Sequence, residues 1–427
     1  MNKRYKDQLL LCSSIALGLG VSTGCPLGMV VAAGMPIACL AAGTRKAALR
    51  SALGYYTAAL WPMIRGLEAY WKSNPLIPLL LWIFTALLLS LPWTVAWTSH
   101  RVHYLWRAPL ALVATIVPPL GIVGLASPLT GAGYLLPGAG WTGLAIVALL
   151  PGILLSTQSL SLRARAVAIG LAAGLCISSH VRYSGDAEPP RGWTAINTHF
   201  GDVSQPFRDF AAAQFIQQKA DESSAHVLIF PEAVVPSWSE ATEVFWHQSL
   251  DRCRTRGQIL AIGAGLQAKP VRNDRERLND LRTYDFDEAI EVLKSGSTLT
   301  IHRPTRSPLS EPVDNTMLLV GAKSAMFYQR VPVPVGMWRP FSKVSVPVRL
   351  NAPGVLMIEH QRAAVLICYE QMLTFPVLAS MLQHPTVIVG ISNTFWVDHT
   401  AVPRFQANAL RAWAKLFRLP YLLAVNS

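Results

Sequence analysis

Residues Ala363-Ala-Val-Leu-Ile-Cys368-Tyr-Glu370 decide how this chain is read. The apolar run before the cysteine is too short for a helix and suits a strand buried on both faces. That strand delivers a cysteine and then a carboxylate two residues on. Two other stretches have the same form. His226-Val-Leu-Ile-Phe-Pro-Glu232 runs a buried strand into a carboxylate. Val387-Ile-Val-Gly-Ile-Ser-Asn393-Thr-Phe-Trp396 ends in polar and aromatic groups. Functional groups in open α/β sheets gather at the carboxyl ends of strands, so three such ends can share one pocket. A cysteine attacks as thiolate and needs a base or a cationic neighbour. Glu232 can accept the thiol proton and pass it to a leaving amine. A fixed cation could then hold the oxyanion of a tetrahedral intermediate. Taken alone, a cysteine closing an apolar strand is more often a packed core residue. The acids at Glu232 and Glu370 set this one apart.

Working outward, similar short apolar runs bounded by turn residues fill the rest of the C-terminal half. Residues 192–196, 226–230, 258–263, 315–320, 355–358, 363–367, 386–391 and 421–425 read as strands, with 355–358 and 363–367 forming a hairpin. Residues 207–222 and 406–417 read as helices. Residues 268–314 are polar and irregular, which predicts a long surface excursion. His360, His384 and His399 have no metal-ligand spacing, and no CxxC or Cys/His pattern suggests zinc. Neither a metal nor an organic cofactor is expected. Cys253 falls on a helix face and suggests no catalytic role.

The N-terminal half is different in kind. Charged residues make up 14% of the 427-residue chain, against roughly a quarter in soluble proteins. The deficit is concentrated early, because Glu68 is the only acid between residues 8 and 180. A spanning helix needs about 20 apolar residues. Seven segments come near that: 8–24, 26–42, 51–70, 75–97, 108–126, 139–156 and 164–180. The third is the weakest, since it holds Pro62, Arg65 and Glu68. Basic residues cluster in alternate loops: Lys3, Arg4 and Lys6; Arg45, Lys46 and Arg50; Arg101 and Arg107; Arg163 and Arg165. By the positive-inside rule this places the N-terminus in the cytoplasm. Seven crossings would then put the C-terminal domain in the periplasm of a multi-pass inner-membrane protein, with membrane lipids as partners; without a crossing at 51–70 the domain would be cytoplasmic, with Arg101 and Arg107 on the wrong side. The net charge of +13 therefore reflects membrane insertion, and direct nucleic-acid binding is not expected. Residues 1–180 form the transmembrane domain in this reading, 181–192 a polar linker and 193–427 a catalytic domain.

The motifs carry a resemblance. Phe-Pro-Glu232, a Tyr-x-basic segment, Ile-Cys368-Tyr-Glu370 and Ser-Asn-x-x-Trp396, in that order, resemble the nitrilase superfamily of carbon–nitrogen hydrolases. Cys-Tyr-Glu and the multi-span N-terminal half resemble its apolipoprotein N-acyltransferase branch. Arg330-Val-Pro-Val-Pro-Val-Gly-Met-Trp338 is more similar to the conjugal-transfer TraB proteins of rhizobial plasmids. The resemblance implies an α-β-β-α sandwich, C-terminally shortened here. It implies Glu232 as general base, Cys368 as a thioester-forming nucleophile and Glu370 as a supporting acid. It also implies a catalytic lysine within Tyr328-Gln329-Arg330. Counting forward from Tyr328 places Arg330 there, and counting back from Pro334-Val-Gly336 places Gln329. Arg330 is taken as the cation, although it cannot trade protons as lysine can. Met337 stands where the acyltransferases carry a glutamate. Tyr369, Asn393 and Trp396 are expected to contact substrate. The implied setting is plasmid conjugal transfer, with partners in the conjugation machinery and a lipid-linked or protein amide or acyl substrate. The alternatives are a catalytically degenerate scaffold of that machinery and a true apolipoprotein N-acyltransferase.

Overall fold

The computed structural model describes residues 2–70, 76–157, 162–203, 208–267, 313–339, 341–342 and 345–427. Two sheets lie face to face in the C-terminal half. The first orders its strands β1 (Trp193–Ala195), β2 (Val227–Ile229), β3 (Ile259–Gln267), β4 (Val313–Gly321) and β5 (Ala325–Tyr328). Strands β1 to β3 are parallel, and β4 and β5 follow antiparallel. The second sheet pairs β6 (Val355–Ile358) antiparallel to β7 (Gln361–Ile367). Strands β8 (Val387–Asn393) and β9 (Tyr421–Asn426) continue it in parallel.

Side-chain alternation explains the layering. Val227 and Ile229 of β2 face Ala363, Val365 and Ile367 of β7 in the shared interior. The intervening Leu228, with Phe230 just beyond the strand, faces helices α11 (Arg208–Glu222) and α12 (Glu240–Thr255). Ala364 and Leu366 point the other way, toward α13 (Thr374–Met381) and α14 (Val402–Phe417). Strands with both faces buried must be apolar throughout, as these are. The result is four layers, helix–sheet–sheet–helix, in agreement with the expected sandwich. All eight anticipated strands form; β3 and β4 run longer than read, and β5 was not anticipated. The excursion expected over 268–314 falls almost wholly outside the described residues.

The N-terminal half is helical: α1 (Lys3–Ser22), α2 (Pro26–Val31), α3 (Met35–Leu40), α4 (Arg45–Leu60), α5 (Pro62–Tyr70), α6 (Leu76–Ala96), α7 (Tyr104–Ile116), α8 (Ala132–Leu135), α9 (Gly140–Ser156) and α10 (Leu162–Val181). Among the described residues only α6 is long and apolar enough to cross a membrane. Segment 26–42 breaks into α2, a 3₁₀ turn and α3, and 51–70 divides at Trp61. Segment 108–126 leaves the helix after Ile116. The seven-span expectation is thus not shown. Leu80, Phe84 and Val95 of α6, Trp106 and Leu110 of α7, and Val167 and Leu171 of α10 are all exposed. Such a broad apolar surface is uncommon on soluble proteins.

Helix α14 joins the two halves. Tyr134 Oη donates to Asn408 O at 2.9 Å, Asn408 Nδ2 donates to Gly24 O at 2.9 Å, and Gly138 N–H donates to Lys415 O at 2.8 Å. Gly133 packs directly on the Ala412 carbonyl, where a Cβ would overlap it. The stretch after α10 is fixed as well. Asp186 accepts from Arg411 and Lys415, each at 2.8 Å, and from Tyr183 Oη at 3.0 Å.

Candidate active site

The ends of β2, β7 and β8 converge as their sequences suggest. Glu232 follows β2 and is 7% exposed. Its Oε1 accepts from Asn315 Nδ2, and its Oε2 accepts from the Asn393 backbone N–H at 2.8 Å. Gly263 of β3 makes this approach possible, since a Cβ there would stand 2.5 Å from Glu232 Cα. Cys368 opens the 3₁₀ turn after β7 with φ at +49°. This left-handed strand-to-turn corner lifts the thiol off the sheet toward the carboxylate. The thiol and the Glu232 carboxyl are close enough to act on each other's ionisation. Burial pushes the Cys368 thiol well up, and the Glu232 charge pushes it further. Burial also raises the Glu232 carboxyl, against hydrogen bonds from Cys368 and Asn315. The pair is thus set up as neutral thiol and proton acceptor rather than as a preformed thiolate.

Glu370 lies behind the nucleophile and is fully buried. Its Oε2 accepts from Ile367 N–H at 3.1 Å. Its Oε1 accepts from Arg330 N–H at 2.8 Å, Val331 N–H at 3.1 Å and Arg330 Nε at 3.3 Å. Arg330 sends its other nitrogens to Ser380 Oγ at 3.0 Å and Val365 O at 3.4 Å. The expectation that Arg330 faces the nucleophile is corrected by this placement. Its guanidinium is turned to the back of β7 and committed to Glu370. Gln329 is the residue on the reactive side. It accepts from Asn315 Nδ2 at 3.2 Å and donates through Nε2 to Ile367 O, also at 3.2 Å.

Of the residues expected to touch substrate, all three line one small cavity over Cys368, with Gln406 beside them. Trp396 Nε1 donates to Asn393 O at 3.0 Å, which sets its ring as a wall. The Asn393 side chain turns aside to accept from Asn426 Nδ2 at 2.9 Å, so Asn393 acts through its backbone. Tyr369 Oη donates to Ile122 O at 2.9 Å and ties the site to the helical half. Met63, Gly66 and Leu67 of α5 form the opposite wall. The cavity measures about 30 Å³, enough for a single small group.

Sequence reading missed Asn315 and Gln406. Asn315 is a polar residue in a buried strand. Gln406 occupies the face that α14 otherwise fills with Val402, Ala409, Leu410 and Trp413. A lone amide in such an apolar stripe is the signal that could have found it. Gln406 Nε2 points at Cys368 Sγ from 3.8 Å. Among the described residues no three metal-ligating side chains cluster.

No family model matches the chain. Among solved structures, two forms of the amidase from Nesterenkonia sp. AN1, a nitrilase-superfamily protein, align at 14% identity. A cysteine-to-alanine mutant of it covers 56% of this chain and 78% of its own, with a TM-score of 0.32. A glutamate-to-glutamine mutant, with acrylamide added at the active-site cysteine, covers 55% and 77%, with a TM-score of 0.30. Two curated relatives match nearly end to end. The protein described as "Conjugal transfer protein TraB" of Agrobacterium fabrum is 26% identical, over 99% of this chain and 94% of its own. The chain is likewise similar, at 28% identity over 99% of its length and 98% of the relative's, to the "Probable conjugal transfer protein TraB" of Sinorhizobium fredii.

Proposed function

We propose that this chain is a membrane-anchored enzyme of plasmid conjugal transfer that forms a thioester on Cys368. The observation that carries the reading is the Cys368 thiol at the end of β7, opening on a cavity and next to the buried Glu232 carboxyl. Cys368 Sγ attacks the acyl carbon of an amide or acyl donor while Glu232 takes the thiol proton. Glu232 returns that proton to the departing amine or alkoxide. Water or an acceptor amine then attacks the thioester, its proton passing by way of Glu232 to the released sulfur. Hydrolysis gives amide cleavage, and attack by an amine gives acyl transfer. Glu370 holds the Cys368 corner in place, with Arg330 as its counter-ion. Tyr369, Asn393 and Trp396 shape the substrate's seat.

Helix α6 and the exposed apolar faces of α7 and α10 support anchoring in the inner membrane. The alternation of basic loops supports a multi-pass arrangement with a periplasmic domain. A periplasm-specific reporter fused at Ser427 should be active, and activity of a cytoplasm-specific reporter there would reverse the orientation.

A Cys368→Ala variant should lower plasmid transfer between cells at least tenfold while keeping its abundance in the membrane. A thiol-directed acyl probe should leave an adduct on Cys368 in the wild type. Undiminished transfer by the variant favours the second reading, a scaffold that keeps the fold without its chemistry. The neutral Gln329 on the reactive side is what speaks for that reading.

A further inference from the structure

An acyl group joining Cys368 passes through an oxyanion, which needs a hydrogen-bond donor where the charge develops. The segment expected to supply one has its donors committed elsewhere. Arg330 faces the back of β7, with Nε on Glu370 Oε1 and its other nitrogens on Ser380 Oγ and Val365 O. Gln329 Nε2 donates to Ile367 O. The cavity over Cys368 is mainly apolar, with Met63, Leu67, Val333 and Val402 among its walls. Of its polar side chains, Trp396 donates through Nε1 to Asn393 O and Tyr369 through Oη to Ile122 O. Gln406 is placed differently. It lines the same cavity, is 3% exposed, and directs Nε2 at Cys368 Sγ from 3.8 Å. Its Oε1 is buried without a hydrogen-bond partner. Packing does not call for an amide here, since Val402, Ala409, Leu410 and Trp413 are buried on the same helix. A buried amide left half-bonded by its own protein is costly unless an occupant of the cavity completes it.

We infer that Gln406 is a catalytic residue, whose Nε2 donates to the oxyanion that forms when Cys368 attacks an acyl carbon. The inference rests on the thioester reading above and adds a residue to it. The distances permit it. A donor serves an oxyanion from roughly 2.7–3.1 Å. In the adduct the oxygen and the sulfur share one carbon, so a nitrogen 3.8 Å from Sγ is within reach of that oxygen. The Gln406 amide is neutral and does not titrate, so proton transfer stays with Glu232. Its Oε1 is completed by an N–H or O–H of the same substrate.

The test compares two reagents on the full chain in detergent micelles, read by mass spectrometry of the acid-quenched Cys368 peptide. With p-nitrophenyl acetate the S–C bond forms through an oxyanion, p-nitrophenolate leaves, and the thiol proton passes to Glu232. Methyl methanethiosulfonate forms an S–S bond with loss of methanesulfinate, and no oxyanion develops on carbon. The ratio of acetylation to methylthiolation therefore cancels changes in access to the thiol or in its ionisation. Gln406→Met and Gln406→Leu both remove the donor and suit a buried helix face. Each should lower the ratio at least about tenfold, with methylthiolation near the wild-type rate. A ratio that stays near the wild-type value in either variant overturns the inference, whether both rates hold or both fall, and leaves thioester formation standing. Absence of acetylation at wild-type Cys368 overturns thioester formation itself, and the role of Gln406 with it.

Discussion

Cys368 adopts φ of +49°, a region where a Cβ crowds the following carbonyl. The corner is held against this cost by Glu370, which binds the Ile367 N–H on one side and the Arg330–Val331 backbone on the other. Replacing Cys368 by glycine should relieve the strain, and alanine should retain it. The glycine variant should therefore be more stable than the alanine variant by about 1 kcal/mol, read from paired melting curves. Equal melting temperatures would show that the corner is unstrained. At this scale the sequence was legible for Cys368 and Glu232, because each closes an apolar strand. It was not legible for which of Gln329 and Arg330 faces the thiol. Gln329 and Arg330 are neighbours in an extended segment, so they face opposite sides, and a one-residue slip in counting exchanges them. The pairing of Gln329 N–H with Asn315 O, together with the Gln329–Asn315 side-chain bond, sets Gln329 on the side of Glu232.

Among the elements, the second sheet is clamped by a charge pair shut inside it. Arg330 is 2% exposed and Glu370 0%. Removing one member leaves the other charged and dry. Glu370→Gln should cost about 3 kcal/mol of stability, measured by denaturant unfolding of the soluble-domain signal. Adding Arg330→Met to it should recover part of that loss, and strict additivity of the two would sink the pairing argument. Strands β2, β7 and β8 were readable as uninterrupted apolar runs. Strand β5 was not, because Ala325–Tyr328 is short and its burial is partial. The breaks within the apolar segments were not readable for a related reason. Hydropathy counts apolar residues, and it passed over the breaks that Gly34, Trp61 and Pro118 introduce in the chain's course.

For the molecule as a whole, the joint between halves is electrostatic at one end and steric at the other. Burial opposes ionisation of Asp186, but hydrogen bonds from Lys415, Arg411 and Tyr183 outweigh it and hold its carboxyl at about 2. That lies below its ordinary 3.8, so the clasp stabilises the joint above roughly pH 4 and is lost as pH falls toward 2. Pepsin cleavage around residues 183–192 should rise over that window, and an Asp186→Asn variant should be cut readily throughout it. At the other end, Gly133 lies flush on Ala412 while the same helix carries Gln406 to the thiol. The rod that seats the anchor is also one wall of the reaction chamber. Any attempt to express residues 193–427 alone would uncover Ala412, Leu416 and Phe417, which pack on Gly133, Gly143 and Trp141 of the helical half. Such a fragment should precipitate or bind detergent, and its silence in an assay would say nothing about the intact protein. Purification and kinetics therefore call for the whole chain, reconstituted with lipid.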